Sequence, residues 1–287
     1  MSLIKETTVK TVKAPSSVHR TKAVRHSIKS FTLKIWQTGW VRGSLLPLFL
    51  IAIWQYASSA GWIPGTLLPS PYAIAVQGYE LLITGELLRH LGISVARAAS
   101  GFLVGGSIGL AAGLAVGFLR PAEQALDPML QMLRTIPHLA ITPLFILWFG
   151  IGETSKILLI ALGAFFPLYV NTFLGIRGVD RKLVEVARVL EFSRWQQIRL
   201  VILPGALPNV LLGVRLSLGV SWLGLVVAEM MGSSSGVGYL IQDARQFSVI
   251  TIVFVGIAIF AAVGKLSDSL VRWLEKRLLK WRENFTG

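Results

Sequence analysis

Few residues in this chain could do covalent chemistry. The four histidines, His19, His26, His90 and His138, include no pair at metal-ligand spacing with a carboxylate on one helix face, so no metal site is expected. There is no cysteine, which excludes disulfides and thiolate ligands. The pattern Gly-x-Ser-x-Gly, which can present a nucleophilic serine at a strand-to-helix turn, occurs at residues 105–109 and 232–236. Both copies lie in glycine-rich stretches without the accompanying strand, histidine and acid, so a hydrolase is disfavoured. Gly264-Lys265 is followed by Leu266 inside an apolar run, and no Gly-x-x-x-x-Gly-Lys-Ser/Thr phosphate loop exists. No cofactor is therefore expected on this chain, and ATP is not bound by that route.

The remaining candidates are polar residues inside apolar runs, where burial is costly and function is the default reading. Arg134 and His138 stand four apart, as on one helix face. They border a path for an anion, or Arg134 extends its charge to the membrane interface. Glu229 pairs within the bundle, contacts substrate or braces a gate. Asn171 and Ser217 are candidates for hydrogen bonds between helices. Trp222 lines a cavity or packs.

The elements that must position them are membrane helices. The chain has 287 residues, of which 53% are hydrophobic and only 15% charged, against roughly 25% charged in soluble domains. Mean hydropathy is +0.65. The net charge of +14 resides in a tail and in loops flanking apolar runs, a membrane pattern and not a nucleic-acid one. Residues 1–43 carry nine Lys or Arg against one acid, Glu6, and read as a basic, largely disordered cytoplasmic tail. Apolar runs at about 45–60, 93–119, 129–149, 157–176, 210–231 and 249–270 predict six spans in an all-α polytopic protein. The basic segments are the N-tail, residues 179–209 and the C-tail with Arg272, Lys276, Arg277, Lys280 and Arg282. All three fall on one side, which places both termini in the cytoplasm. A half-apolar helix over about 72–88 and a Gly/Ser-rich loop over 232–248 belong outside. In the second span Gly101, Gly105, Gly109, Gly113 and Gly117 recur every four residues, a groove in which another helix backbone can come close.

Residues 179–209, VDRKLVEVARVLEFSRWQQIRLVILPGALPN, form the longest charged interruption. They read as two short amphipathic helices. Asp180 caps the first, which puts Leu183, Val186, Ala187 and Leu190 on one face. Ser193 and Gln196 form a capping box opening the second, and Pro204 stops it. Such helices need an apolar surface to cover, either the membrane face or another protein.

Glu185-Val186-Ala187 with Leu190, then Ile202-Leu203-Pro204-Gly205, resembles the EAA loop of binding-protein-dependent ABC importer permeases. The phrases PHLA, ILWFGI, LPGALP and AEM followed by SSSGVGYL are similar to the branch carrying aliphatic sulfonates, taurine and nitrate, and most like aliphatic sulfonate permeases. The resemblance implies a type I importer architecture over residues 44–287 in a bacterial inner membrane. It implies two permease copies in the lipid bilayer, ABC ATPase subunits that use ATP and Mg²⁺, and a periplasmic or extracellular binding protein. In that family the loop docks on the ATPase, a role that would fall here to Glu185, Ala187, Leu190, Glu191, Ser193 and Gly205. The chain departs from the pattern at Val186, where the family has Ala, and at Glu191, where it has Gly. Glycine there allows a left-handed turn, which costs a non-glycine residue roughly 1 kcal/mol. A stand-alone secondary transporter would need mid-membrane ion-coupling groups and internal repeats, and neither is evident.

Overall fold

The computed structural model describes residues 39–281, and every ordered element among them is helical. They fall into two units, one ending at Ile63 and the other starting at Pro64. The reading of a basic tail lies outside the described residues up to position 38, and residues 39–43 already belong to the first helix.

That first helix, α1, spans Gly39–Ser59. Its apolar part, Leu45–Ser59, is shorter than the four helices that satisfy both length and apolarity for crossing a membrane. Tyr56 in its last turn meets Trp62, just past its end, edge to face at 5.8 Å.

In the second unit, α2 (Pro71–Ile83) begins where Ser70 accepts a hydrogen bond from the Ala73 amide at 3.1 Å, with Pro71 preset for the first turn. Left-handed Gly85 then turns the chain into α3, Glu86–Phe118, whose 33 residues reach ~50 Å. α4 (Arg120–Arg134) is followed by a short 3₁₀ turn, His138–Ile141, and by α5, Thr142–Phe149. The expected continuous span over 129–149 is therefore wrong. Pro137 removes an amide and disfavours helical backbone at Ile136, so the apolar run breaks. Arg134 ends one helix and His138 opens the next segment, so they do not share a helix face.

α6, Glu153–Arg177, is the centre of the unit, packed against α3 on one side and α9 on the other. The glycines of α3 set the first contact. A Cβ at Gly105 would collide with the Ala161 carbonyl, and one at Gly109 would lie 2.5 Å from the Phe165 carbonyl oxygen. At Gly113 it would come within 2.7 Å of Thr172, and at Gly101 and Gly117 it would meet Ile160 and Ile176. The backbones touch because no side chain stands between them.

α7 (Arg181–Val189) and α8 (Arg194–Gln197) follow. Pro204 does not stop the second of them, contrary to expectation. Residues Ile198–Ile202 form a wide turn in which the Leu203 amide reaches back to the Ile198 carbonyl, and the helix runs on as α9, Leu203–Gly232. The wider winding absorbs the register in which the missing proline amide would fall. The stretch 232–248 is likewise not a loop throughout, since it contains α10, Val237–Gln246. α11, Ile250–Leu278, completes the unit. α3, α6, α9 continued back to Arg194, and α11 are the four helices long and apolar enough to cross a membrane.

Gly105→Val should displace α6 and cost about 1–3 kcal/mol or more through overpacking. Gly264→Ala meets no atom within 4 Å and should be neutral or stabilising. Thermal unfolding midpoints in detergent micelles compare the two.

Candidate functional site

The loop between α6 and α9 owes its shape to its caps. The Asp180 carboxylate accepts from the Lys182 amide at 2.9 Å, opening α7. At the other end the Glu191 amide reaches the Arg188 carbonyl at 3.0 Å and the Phe192 amide reaches Ala187 at 2.9 Å. This double closure is a Schellman motif, and it requires a left-handed residue at Glu191, whose φ is 55°. The turn that glycine would make without strain is thus made by a glutamate. Immediately after it, the Gln196 amide donates to Ser193 Oγ at 3.3 Å and the Ser193 amide to Gln196 Oε1 at 2.8 Å, a complete capping box.

Ala187 is only 2% exposed and packs within the loop, whereas Leu183, Val186, Val189 and Leu190 are exposed. Glu185 is also exposed. Leu183, Val186, Leu190, Phe192, Pro204 and Gly205 contribute to an apolar groove of about 590 Å³. The side chain of Val179 lies 3.1 Å from where a Gly205 Cβ would stand.

The polar residues within the helices separate into two groups. At one end of the bundle a buried network joins α3, α6, α9 and α10. Glu229 is 1% exposed. It accepts from Ser94 Oγ at 2.8 Å, Arg97 Nη1 at 2.9 Å and the Gly238 amide at 2.8 Å. Arg97 also grips Glu153 with two bonds of 2.6 Å and donates to the Ser235 carbonyl at 2.6 Å. The first amides of α10 have no partners in their own helix. Gly238 gives its proton to Glu229, Val237 to Ser94 Oγ at 2.8 Å and Gly236 to His90 Nδ1 at 2.9 Å. A carboxylate at a helix N-terminus is also favoured by the helix dipole. A Cβ at Gly236, which has φ 111°, would run into the Glu229 carboxylate. Sequence reasoning missed Arg97, Ser94 and His90. Their signal was polarity at spacing 3–4 on the face that, further along α3, carries the glycines.

Ser217 donates to the Ala164 carbonyl at 2.7 Å, binding α9 to α6. Trp222 donates to Ser267 at 3.1 Å and meets Phe260 edge to face. Both therefore tie helices together. Arg134 and Asn171 form the second group. They line a cavity of about 410 Å³ walled by α6 and α9. Asn171 Nδ2 donates to the Pro167 carbonyl at 2.8 Å. Arg134 makes no hydrogen bond or ion pair among the described residues, whereas Arg177 pairs with Glu123 and Arg215 with Asp268. His138 opens the 3₁₀ turn that follows the helix ended by Arg134. No cluster of three or more potential metal ligands occurs among the described residues.

Residues 105–280 match the family described as binding-protein-dependent transport system inner membrane component, and the chain belongs to that family. It is 65% identical over 249 residues to the aliphatic sulfonates transport permease protein SsuC of Bacillus subtilis, which covers 87% of this chain and 90% of that protein. The Escherichia coli SsuC is 49% identical over 82% of this chain and 90% of its own length, and the taurine transport system permease protein TauC of Escherichia coli is 35% identical over 81% and 86%. The fold is shared with the crystal structure of an amino acid ABC transporter with histidines, at TM-score 0.58 and 19% identity over 71% of this chain and 96% of that one. The protein is thus an inner-membrane ABC permease subunit without catalysis of its own, and its family implies an ATPase and a substrate-binding protein as partners.

Glu229→Leu should cost about 3–5 kcal/mol, because Arg97 and the α10 amides lose a buried partner. Glu229→Gln keeps an acceptor for Gly238 and should cost less. Hydrogen exchange at the Gly238 amide tests the assignment, since it should accelerate strongly in the Leu variant only.

Proposed function

We propose that this chain is the permease of an importer that carries an aliphatic sulfonate into the cytoplasm. The observation that supports this best is 65% identity over 87% of the chain to a permease named for that cargo. Taurine is the second reading, because the taurine permease is 35% identical. Two copies form the pathway, each crossing the membrane six times with cytoplasmic termini, the first pass made by the shorter α1 and the third by the segment broken between α4 and α5. ATP and Mg²⁺ are used by the ATPase subunits, and a binding protein delivers cargo from outside.

Residues 179–209 dock on the ATPase. The apolar face of α7, with Leu183, Val186 and Leu190 exposed beside a groove, is the surface that a partner would cover. Ala187 and Ser193 support it by shaping the loop, with Glu191 at the turn and Gly205 bordering the groove. Closure of the ATPase pair moves this loop as a rigid piece and rearranges the helices behind it. Arg134, His138 and Asn171 lie toward the path, while Ser217, Trp222 and Glu229 brace the helices that gate it.

Reconstitution with the ATPase and binding protein should give ATP-dependent uptake of butane-1-sulfonate. Uptake driven by an ion gradient without the ATPase would overturn the reading. Leu190→Arg and Glu185→Lys should each cut uptake at least about tenfold, the effect of losing roughly 1.4 kcal/mol of docking, while the permease still inserts. Ala187→Arg is the poorer probe, since that side chain is buried inside the loop.

A further inference from the structure

The cavity that holds Arg134 lies half-way along two membrane helices. Its walls on α6 run from Leu162 to Asn171, the middle of Glu153–Arg177. On α9 they are Leu216 and Val220, the middle of Leu203–Gly232. Irregular backbone at such depth is tolerated where it lines a cavity, because its polar groups otherwise lack partners. The break between α4 and α5 meets that condition, since Ile136 and Arg134 both face the cavity. Arg134 is exposed within it and has no carboxylate partner among the described residues. The acid one helical stretch earlier, Asp127, is engaged by Tyr169 at 2.6 Å and Gln131 at 3.2 Å. Around this single cation the walls are Leu162, Phe166, Val170, Leu216 and Val220, with the Asn171 amide as the other polar group. The volume of about 410 Å³ falls within the range of small-molecule sites.

We propose that this cavity is a resting site, inside the membrane, for an alkyl chain ending in an oxyanion, with the head on the Arg134 guanidinium and the tail along Phe166, Val170, Leu216 and Val220. A planar, permanently charged fork suits a tetrahedral sulfonate. Apolar walls suit the tail. The inference rests on the reading of the cargo as an aliphatic sulfonate, and it adds that the permease itself holds that cargo on the way through.

The test is direct binding of hexane-1-sulfonate and ethane-1-sulfonate to the permease–ATPase assembly without binding protein. Phosphatidylcholine nanodiscs keep anionic lipid headgroups from serving as the ligand. Affinity should rise with tail length, by up to about fourfold per methylene. Arg134→Gln should weaken hexane-1-sulfonate at least about tenfold, the loss of one charge-assisted contact, and Arg134→Lys should restore part of it. Val220→Trp, which fills the tail region, should weaken hexane-1-sulfonate more than ethane-1-sulfonate. Co-elution with the ATPase shows that each variant has folded. No binding, or binding indifferent to Arg134→Gln and to tail length, overturns the site. Sulfonate uptake in the complete system is scored separately, so loss of the site with uptake intact leaves the cargo reading standing.

Discussion

The close approach of α3 to α6 governs the second unit. In lipid there is little hydrophobic gain from bringing two apolar helices together, so association depends on packing distance and on polar contacts. Glycine at every fourth position of α3 lets the Ala161 and Phe165 carbonyls sit where side chains would otherwise stand. On its other side α6 meets α9 through the same device, since a Cβ at Gly175 would lie 3.0 Å from the Ala206 carbonyl oxygen and one at Gly213 would lie 2.9 Å from Asn171. With α6 held from both sides, Ser217 reaches the Ala164 carbonyl and fixes the rotation of α9.

That rigid trio makes the polar network at its end possible. Arg97, Glu153 and Glu229 come from three different helices, and the geometry of their bonds requires all three to be placed closely. The network then holds α10 by its unpaired amides. A ten-residue helix is marginal alone, so α10 depends on side chains donated by its neighbours and on Leu240 in the cluster with Leu81, Leu87 and Val255. The loop of α7 and α8 is built in the opposite way, with caps from its own residues. It folds locally and presents an unused apolar face.

Legibility in the sequence follows that division. Interactions spanning two to four residues could be read directly: the Asp180 cap, the Ser193–Gln196 box and the glycine period. The left-handed turn at Glu191 was marked only by the resemblance, which places a glycine there and left open whether a glutamate keeps the turn. Interactions spanning long stretches could not. Arg97 lies 132 residues from Glu229 and 56 from Glu153, and nothing local shows which acid it meets. Proline was misjudged in both directions. Hydropathy joined residues 129–149 across Pro137, because an average over a window cannot register one missing amide. At Pro204 the opposite happened, and a proline that normally ends a helix was absorbed by a wide turn. The Ser233–Ser235 run looked like pure loop, although the same small residues let α10 be capped from outside.

The broken α4–α5 segment gives the architecture its asymmetry. α3, α6 and α9 each run as one unbroken helix, with internal prolines at Pro167 in α6 and Pro208 in α9. The segment from Arg134 to Thr142 has no such continuity. Its backbone is interrupted beside the Arg134 cavity described above. α4 itself is anchored in its first turn, where Glu123 pairs with Arg177, and at its middle, where Asp127 accepts from Tyr169. A helix fixed at one end and broken at the other concentrates change at the break. Arg134 is placed at that break, and its charge is the one left without an ion-pair partner among the described residues in this group of in-span arginines.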